Sequence, residues 1–273
     1  MRVRFGVLLL PNRTWPELRE AWQALDGLAR LDSVWIADHL ANPYRREQQW
    51  FDGWTCLATM AQVTTRVRIG PLVSPMTFHN PARLAKAAVS VDHLSGGRLE
   101  LAVGSGGSGY DQALAQSDHG QARARSGRFE AFVGRLVELL ARDDLQPRPV
   151  QERVPLTVGG NSRAILQIAA RYADRWNTYI GWQLPPEEGR RLTRERNRHL
   201  DELCAETGRT VTRSALIGHS FAAETPFRSR EAFDEFVAAY EDAGVEELIL
   251  YWPPDFAMPD GAVESGLFER LFA

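Results

Sequence analysis

The amino-acid sequence predicts an α/β fold, a (β/α)8 TIM barrel of eight parallel strands formed by residues 1–273 as a single domain. Three observations carry that expectation. Strand signals alternate with helix signals eight times along the chain. The second strand, Ser33 to Ala37, is apolar on both faces, as buried parallel strands are. The length, 273 residues, suits such a barrel and can remove ~75% of the chain surface from water in one core. An open, doubly wound sheet is the alternative, because alternation does not say whether a sheet closes.

The elements follow in order. Val3 to Leu10 is a strand, an apolar run interrupted by Arg4 and Gly6. Pro16 opens a helix whose stripe is Leu18, Trp22, Leu25 and Leu28, at helical spacing. Ser33 to Ala37 is the second strand, Asp38 to Phe51 a polar and aromatic loop, and the next helix turns Trp54, Leu57, Ala58 and Ala61 inward. The third strand lies in Val67 to Val73, its end marked by Pro71 and Pro75. Asn80-Pro81 starts a helix by the cap-then-proline rule and runs to about Asp92. Arg98 to Val103 is the fourth strand, followed by a glycine-rich polar loop up to Gly127 and a helix carrying Phe129, Phe132, Val133, Leu136, Val137 and Leu140. After a proline-punctuated connector, Pro147 to Pro155, come strand five (Leu156 to Val158), a helix (Ser162 to Tyr172) and strand six (Asp174 to Ile180). A helix over Pro186 to Glu206, strand seven (Val211 to Phe221), a helix over Arg230 to Ala243, strand eight (Glu246 to Tyr251) and a last helix from Val263 to Phe272 complete the chain.

Composition narrows the function classes. The 32 basic against 35 acidic residues leave a formal charge of -3, which argues against non-specific nucleic-acid binding. Two cysteines, Cys56 and Cys204, are too few for a disulfide framework and fit a reducing cytoplasm. Nothing approaches the ~20-residue apolar span of a membrane helix, and the short apolar run at the start leads into Pro11, Asn12 and Arg13 rather than a cleavage site. The expectation is a cytoplasmic protein acting on a small molecule, with neither nucleic acid nor membrane as partner. The five arginines between Arg190 and Arg198, preceded by Glu187 and Glu188, read as a solvated helix face with acids at its N-terminus.

In a parallel barrel the reactive end is where strands run out into their helices. That rule separates two similar pairs. Asp38-His39 follows strand two directly, on the reactive side, and is the candidate for acid–base work. Asp92-His93 precedes strand four on the opposite side and reads as helix capping and turn formation. The run from Gly104 to Gly109 matches G-x-G-x-x-G but opens no apolar-striped helix. It reads as a loop where backbone approaches a ligand or another chain closely, or as a merely flexible one. Gly159-Gly160-Asn161-Ser162 joins a strand to a helix and suits an anion, since Asn161 or Ser162 can cap while free N–H groups point into the loop; an ordinary capped turn has the same local sequence. Leu72-Val73 says locally only that a strand stops. His79, Asp111 and His119 fall on reactive-side loops without metal-ligand spacing, and strand one ends in Leu9-Leu10-Pro11-Asn12 rather than a His-x-His, so no metal is expected.

With these segments placed, the chain resembles the bacterial luciferase-like superfamily of flavin- and deazaflavin-dependent oxidoreductases, most of all its coenzyme F420 branch. The pieces that carry the resemblance are VWIADHL (Val34 to Leu40), Trp54-Thr55, TTRVRIGPLV (Thr64 to Val73), PMTFHNP (Pro75 to Pro81), VDHLSGGRLEL (Val91 to Leu101), the Gly104–Gly106 loop and VPLTVGGNSRAILQIAARYADRWN (Val154 to Asn177). They occur in family order from Phe5 to about Trp182.

The resemblance implies a luciferase-like TIM barrel with coenzyme F420 (8-hydroxy-5-deazaflavin), or alternatively FMN, across the strand ends. It sets Asp38 and His39 beside the ring, His39 as proton donor or base. It aligns Leu72-Val73 with a bond that is often a non-proline cis peptide bulging against the ring, and it gives the glycines Gly104 and Gly106 to the same cofactor site. Gly159, Gly160, Asn161 and Ser162 align with the phosphate loop, completed by Tyr179, Ile180 and Gly181. It also implies a homodimer. Two departures stand out. Gly107 occupies a position where some deazaflavin dehydrogenases carry glutamate, for which Asp111 is a partial substitute, and His79 stands where the family usually has arginine. These argue against a sugar-phosphate dehydrogenase of that kind. The expected activity is hydride transfer between F420 and a small organic substrate. An FMN-dependent monooxygenase and a catalytically silent ligand-binding barrel are the alternatives. Asn42 to Asp52, Gly107 to Gly127 and Trp182 to Pro186 are the expected pocket loops, with Tyr44, Trp50, Phe51, Tyr110 and Trp182 lining an apolar cavity or a subunit contact.

Overall fold

The structure, a computed structural model, describes residues 3–43, 45–117, 122–181, 184–217, 226–252, 264 and 266–273. Within these, nine strands make one sheet: β1 (Arg4–Leu9), β2 (Ser33–Ile36), β3 (Arg68–Pro71), β4 (Ser74–Pro75), β5 (Leu101–Gly104), β6 (Leu156–Gly159), β7 (Arg175–Ile180), β8 (Thr212–Ile217) and β9 (Glu247–Tyr251). Every pairing is parallel, and the order is β3-β2-β1-β9-β8-β7-β6-β5-β4. Its two ends are halves of one barrel position, since β3 pairs with β2 and β4 with β5. Below the break, Ile69 bridges Leu99, donating to Arg98 O at 3.0 Å and accepting from Glu100 N at 2.8 Å. The ring therefore closes, which rules out the doubly wound alternative.

The third strand, expected within Val67 to Val73 with its end marked by Pro71 and Pro75, is not one piece. It stops at Pro71 and resumes at Ser74, with the Leu72–Val73 peptide in cis between the halves. Pro71 cannot donate to a ladder and ends the first half.

The helices are α1 (Trp15–Asp26), α2 (Gly53–Val63), α3 (Pro81–Ser95), α4 (Gly109–Leu114), α5 (Ala122–Leu140), α6 (Arg163–Tyr172), α7 (Pro186–Thr207), α8 (Arg230–Asp242) and α9 (Leu267–Phe272). Local chemistry sets their ends. Thr14 and Glu17 form a capping box on α1, Asn80 caps α3 ahead of Pro81, and Ser162 caps α6 through Ile165 N. Gly96 ends α3 with φ of 64°, a left-handed value that favours glycine. The expected loop from Gly104 to Gly127 is corrected: it holds α4 and the start of α5. Strand seven is described only as far as Ile217, and the last helix only from Leu267.

Outward strand residues (Val7, Val34, Ile36, Val103, Val158) pack under the helix stripes of Trp22, Leu57, Leu84, Phe129 and Leu166 to form the main core. The inward residues alternate with them, as pleating requires, and they are stratified. At the strand starts, Glu100 pairs with Arg68 and Arg175, and Glu247 with Arg175. Ser33 Oγ donates to Glu247 at 3.1 Å. Above lies an apolar layer of Leu8, Trp35, Ala102, Leu216 and Ile249. Trp35 fits the centre because Gly6 and Gly70 stand aside; a Cβ at either would come within 3.0 Å of its ring atoms. At the strand ends, Leu10, Val73, Tyr179 and Tyr251 are only partly buried against that layer. The barrel is therefore plugged by charge at one end and floored by apolar groups at the other.

Candidate active site

Because all strands are parallel, the segments leaving β2, β4, β5, β6 and β7 emerge side by side at the floored end. Asp38 follows β2 and is buried, 1% exposed. One of its oxygens, Oδ2, accepts from Ser74 Oγ at 2.5 Å and meets His79 Nε2 at 2.8 Å. Ser74 Oγ in turn accepts from Trp54 Nε1 at 3.0 Å. Asp38 thus ties the end of β2 to β4, immediately after the Leu72–Val73 bond. The predicted acid–base residue Asp38 is buried, and its carboxylate holds its neighbours in place.

His39 differs. Its side chain is 33% exposed, and Nδ1 lies 2.5 Å from Oδ2 of Asp111, whose side chain is 3% exposed. The other oxygen of Asp111 accepts from Leu40 N at 3.0 Å. Trp50 Nε1 donates to His39 O at 2.9 Å, with the two rings 6.3 Å apart. Among the described residues Nε2 of His39 meets no hydrogen-bond partner. Asp111 comes from α4, where Ser108 Oγ caps the helix by accepting from Asp111 N at 3.2 Å.

The glycines make room for Val73. A Cβ at Gly104 would sit 2.6 Å from Val73 Cγ2, and one at Gly159 would sit 2.9 Å from Val73 Cγ1. Gly106 has φ of 74°, and a Cβ there would meet Thr77 Oγ1. That hydroxyl is buried without a partner among the described residues.

At the loop after β6, Gly160 donates to Asn177 O at 3.0 Å, and its carbonyl accepts from Trp176 Nε1 at 2.8 Å. Ser162, not Asn161, is the cap. Asn161 is tied across to β7 instead, donating to Tyr179 O at 2.8 Å and accepting from Thr178 Oγ1 at 2.8 Å. Arg196 of α7 donates to the same Thr178 hydroxyl at 3.2 Å. Burial lowers its pKa from the ordinary guanidinium value, and it pairs with no carboxylate among the described residues.

The remaining candidates divide. Leu72 is buried and Val73 partly exposed at the floor, as is Tyr179. Ile180 has its side chain buried in the outer core. Phe51 is partly buried and packs edge-on against Trp15 at 5.1 Å. Tyr110 carries the Arg46 guanidinium 4.2 Å from its ring centre. Tyr44, His119 and Trp182 lie outside the described residues. Sequence reasoning missed Ser74, Trp54 and Thr178, whose roles come only from strands that meet in the ring.

The second pair lies at the charge-plugged end. Asp92 Oδ2 accepts from Val150 N at 2.7 Å and Gln151 N at 3.3 Å, and Oδ1 accepts from Gln151 Nε2 at 2.7 Å. His93 Nε2 meets Arg148 O at 2.7 Å. The pair is structural, as expected: the carbonyls of Asp92 and His93 accept from the Gly96 and Gly97 amides that close α3. Gly96 and Gly97 turn the chain, while Asp92 and His93 fasten the connector.

Among the described residues no group of three or more His, Cys, Asp or Glu side chains could hold a metal, and no helix is long and apolar enough to cross a membrane.

Comparison with known proteins agrees with this architecture. The family model of luciferase-like monooxygenases matches residues 3–270. The chain is 28% identical over 244 residues to a 4-hydroxyprotoasukamycin monooxygenase of Streptomyces nodosus subsp. asukaensis, covering 78% of this chain and 62% of that protein. It is 30% identical over 162 residues to an F420-dependent glucose-6-phosphate dehydrogenase of Amycolatopsis mediterranei, covering 53% of this chain and 47% of that protein. The chain thus spans about half to three-fifths of the length of these curated relatives. Among solved structures, an F420-dependent secondary alcohol dehydrogenase in complex with an F420-acetone adduct superposes with a TM-score of 0.78 at 16% identity, over 92% of this chain and 93% of that one. The chain belongs to the luciferase-like monooxygenase family, whose relatives are flavin- or F420-dependent oxidoreductases.

Proposed function

We propose that the protein is a coenzyme F420-dependent oxidoreductase that moves a hydride between the deazaflavin and a small organic substrate. The observation that carries the reading is the partly exposed His39, held by Asp111 at the same strand ends as the apolar floor. The residues present fit a flat, largely apolar ring with an anionic tail. Leu10, Val73, Tyr179 and Tyr251 are partly exposed at the floor. The Gly159–Ser162 loop opens onto the N-terminus of α6, where the first backbone N–H groups have no intrahelical acceptor and favour negative charge. Leu72, Val73, Gly104 and Gly106 would border the ring, and Gly160, Asn161 and Ser162 would hold the tail. Bound there, the deazaflavin would supply the hydride chemistry, while the protein supplies orientation and proton handling.

The residues of this chain then divide the work. Asp38 locks the end of β2 to β4 and so fixes the position of His39 relative to the bulge. The exposed nitrogen of His39 gives or takes the proton that accompanies reduction or oxidation of the substrate.

One observation favours a second reading, an FMN-dependent monooxygenase. The Streptomyces monooxygenase aligns over more of this chain than the F420-dependent dehydrogenase does. Parallel binding titrations with F420 and FMN separate the two. Micromolar or tighter F420 binding with weak FMN binding is expected; tight FMN binding without F420 binding transfers the assignment to the monooxygenase. We also propose a homodimer, which light scattering tests.

A further inference from the structure

We infer that Asp111 is a positioning residue, which fixes His39 as the Nδ1–H tautomer and thereby reserves Nε2 as its proton-transferring atom. The inference deepens the proposed function and rests on its assignment of proton handling to His39. The geometry leaves little choice. An unprotonated Nδ1 facing a carboxylate oxygen at 2.5 Å would set two lone pairs against each other, with the carboxylate side chain only 3% exposed. A proton on Nδ1 turns the contact into a charge-assisted hydrogen bond. Neutral imidazole then carries its lone pair on Nε2, the nitrogen without a partner among the described residues.

The residue type matters for a second reason. Asp111 accepts two bonds at once, from the His39 ring on Oδ2 and from Leu40 N on Oδ1. Only a carboxylate offers two acceptor oxygens. An asparagine that keeps its one oxygen on Leu40 N must turn its NH2 toward His39 Nδ1, which stabilises the opposite tautomer. Asp111 also arrives on α4, a full helical turn beyond Gly107, and its own amide is held by Ser108. In the reaction, Nε2 accepts a proton when the substrate is oxidised and returns it when the substrate is reduced. Asp111 stays a carboxylate throughout, facing the imidazolium when it forms.

The test reads the tautomer directly, without cofactor. Long-range 1H–15N spectra of the 15N-labelled full chain are recorded at about pH 9, above the ordinary imidazole range, with His39→Gln assigning His39 among the six histidines. The expected result is Nδ1–H in the wild type, a shift toward Nε2–H in Asp111→Asn, and return to Nδ1–H in Asp111→Glu. In the cofactor-loaded enzyme, Asp111→Asn lowers kcat with little change in KM, and Asp111→Glu restores most of it. A wild-type His39 found as Nε2–H overturns the inference, as does an Asp111→Asn variant with unchanged tautomer. If Asp111→Asn does not fold, the wild-type and Asp111→Glu spectra still decide. Failure to bind or turn over with either cofactor defeats the proposed function alone, because the wild-type spectrum is read on the free protein.

Discussion

The chain carries two Asp-His pairs, and the barrel sets them to different work. Asp92-His93 closes α3 at the charge-plugged end, where Asp92 accepts three hydrogen bonds from Val150 and Gln151 and His93 holds Arg148 O. Asp38-His39 leaves β2 at the open end. Asp38 is spent in the same manner, on Ser74 and His79. His39 is not: one nitrogen is fixed by Asp111, and the other is left over. What would make one pair reactive and the other a joint is this unspent hydrogen-bonding capacity, not the identity of the residues.

Truncating each pair breaks the comparison in a different observable, and the larger effect belongs to the open end. His39→Ala removes the exposed nitrogen without emptying a buried site. Turnover with the cofactor that binds should fall by about 10²- to 10⁴-fold, the range for loss of a general acid or base. Stability should fall only modestly, through the ring partner that the buried Asp111 Oδ2 loses. Equal loss of stability and activity would make His39 another joint.

Asp92→Ala should do the reverse. Asp92 is 0% exposed, and its removal strands the amides of Val150 and Gln151 in a part-buried setting. A loss of about 1–3 kcal/mol is expected from part-buried donors left unpaired, measured as a lower midpoint in urea with kcat per folded molecule unchanged. Changed kcat with unchanged stability would mean that the two ends of the barrel communicate.

The same contrast explains what the sequence could reveal. The eightfold alternation of strands and helices was legible, because apolar strands, cap residues such as Asn80 and Ser162, and the left-handed glycine at Gly96 are local signals. That His39 and the double glycine leave strands at the same end was legible too, since parallel strands put all their ends together. The ring's partners were not. Glu100, Arg175 and Glu247 look like solvated strand starts until the inward period of two brings them into one buried cluster. Ser74 and Trp54 carry no site signature, and the stop at Pro71 gives no hint that β4 follows. Asp111 lies 71 residues beyond Leu40, in a polar stretch whose short helix has no apolar stripe to announce it. Contacts of that kind come from closure of the barrel, which single segments do not encode.

Acid sharpens the comparison with the smallest effect. Asp26, at the end of α1, fastens backbone as Asp92 does: it accepts from Thr65 N, Arg66 N and Val67 N at 2.8–2.9 Å and from the Thr65 hydroxyl at 3.0 Å. Partial burial pushes its pKa up, but the bonds from Val67, Arg66 and Thr65 outweigh it and hold the carboxyl below its ordinary value. A depressed folded-state pKa means the unfolded chain takes up the proton first. The stability from Asp26 is therefore present above the unfolded value of about 3.9 and is lost as pH falls through the lower folded value. Urea midpoints of wild type and Asp26→Asn should differ at pH 7 and converge as acid titrates the carboxyl. A gap between wild type and Asp26→Asn that stays constant with pH would show that the asparagine loses packing rather than the charge on which these bonds depend.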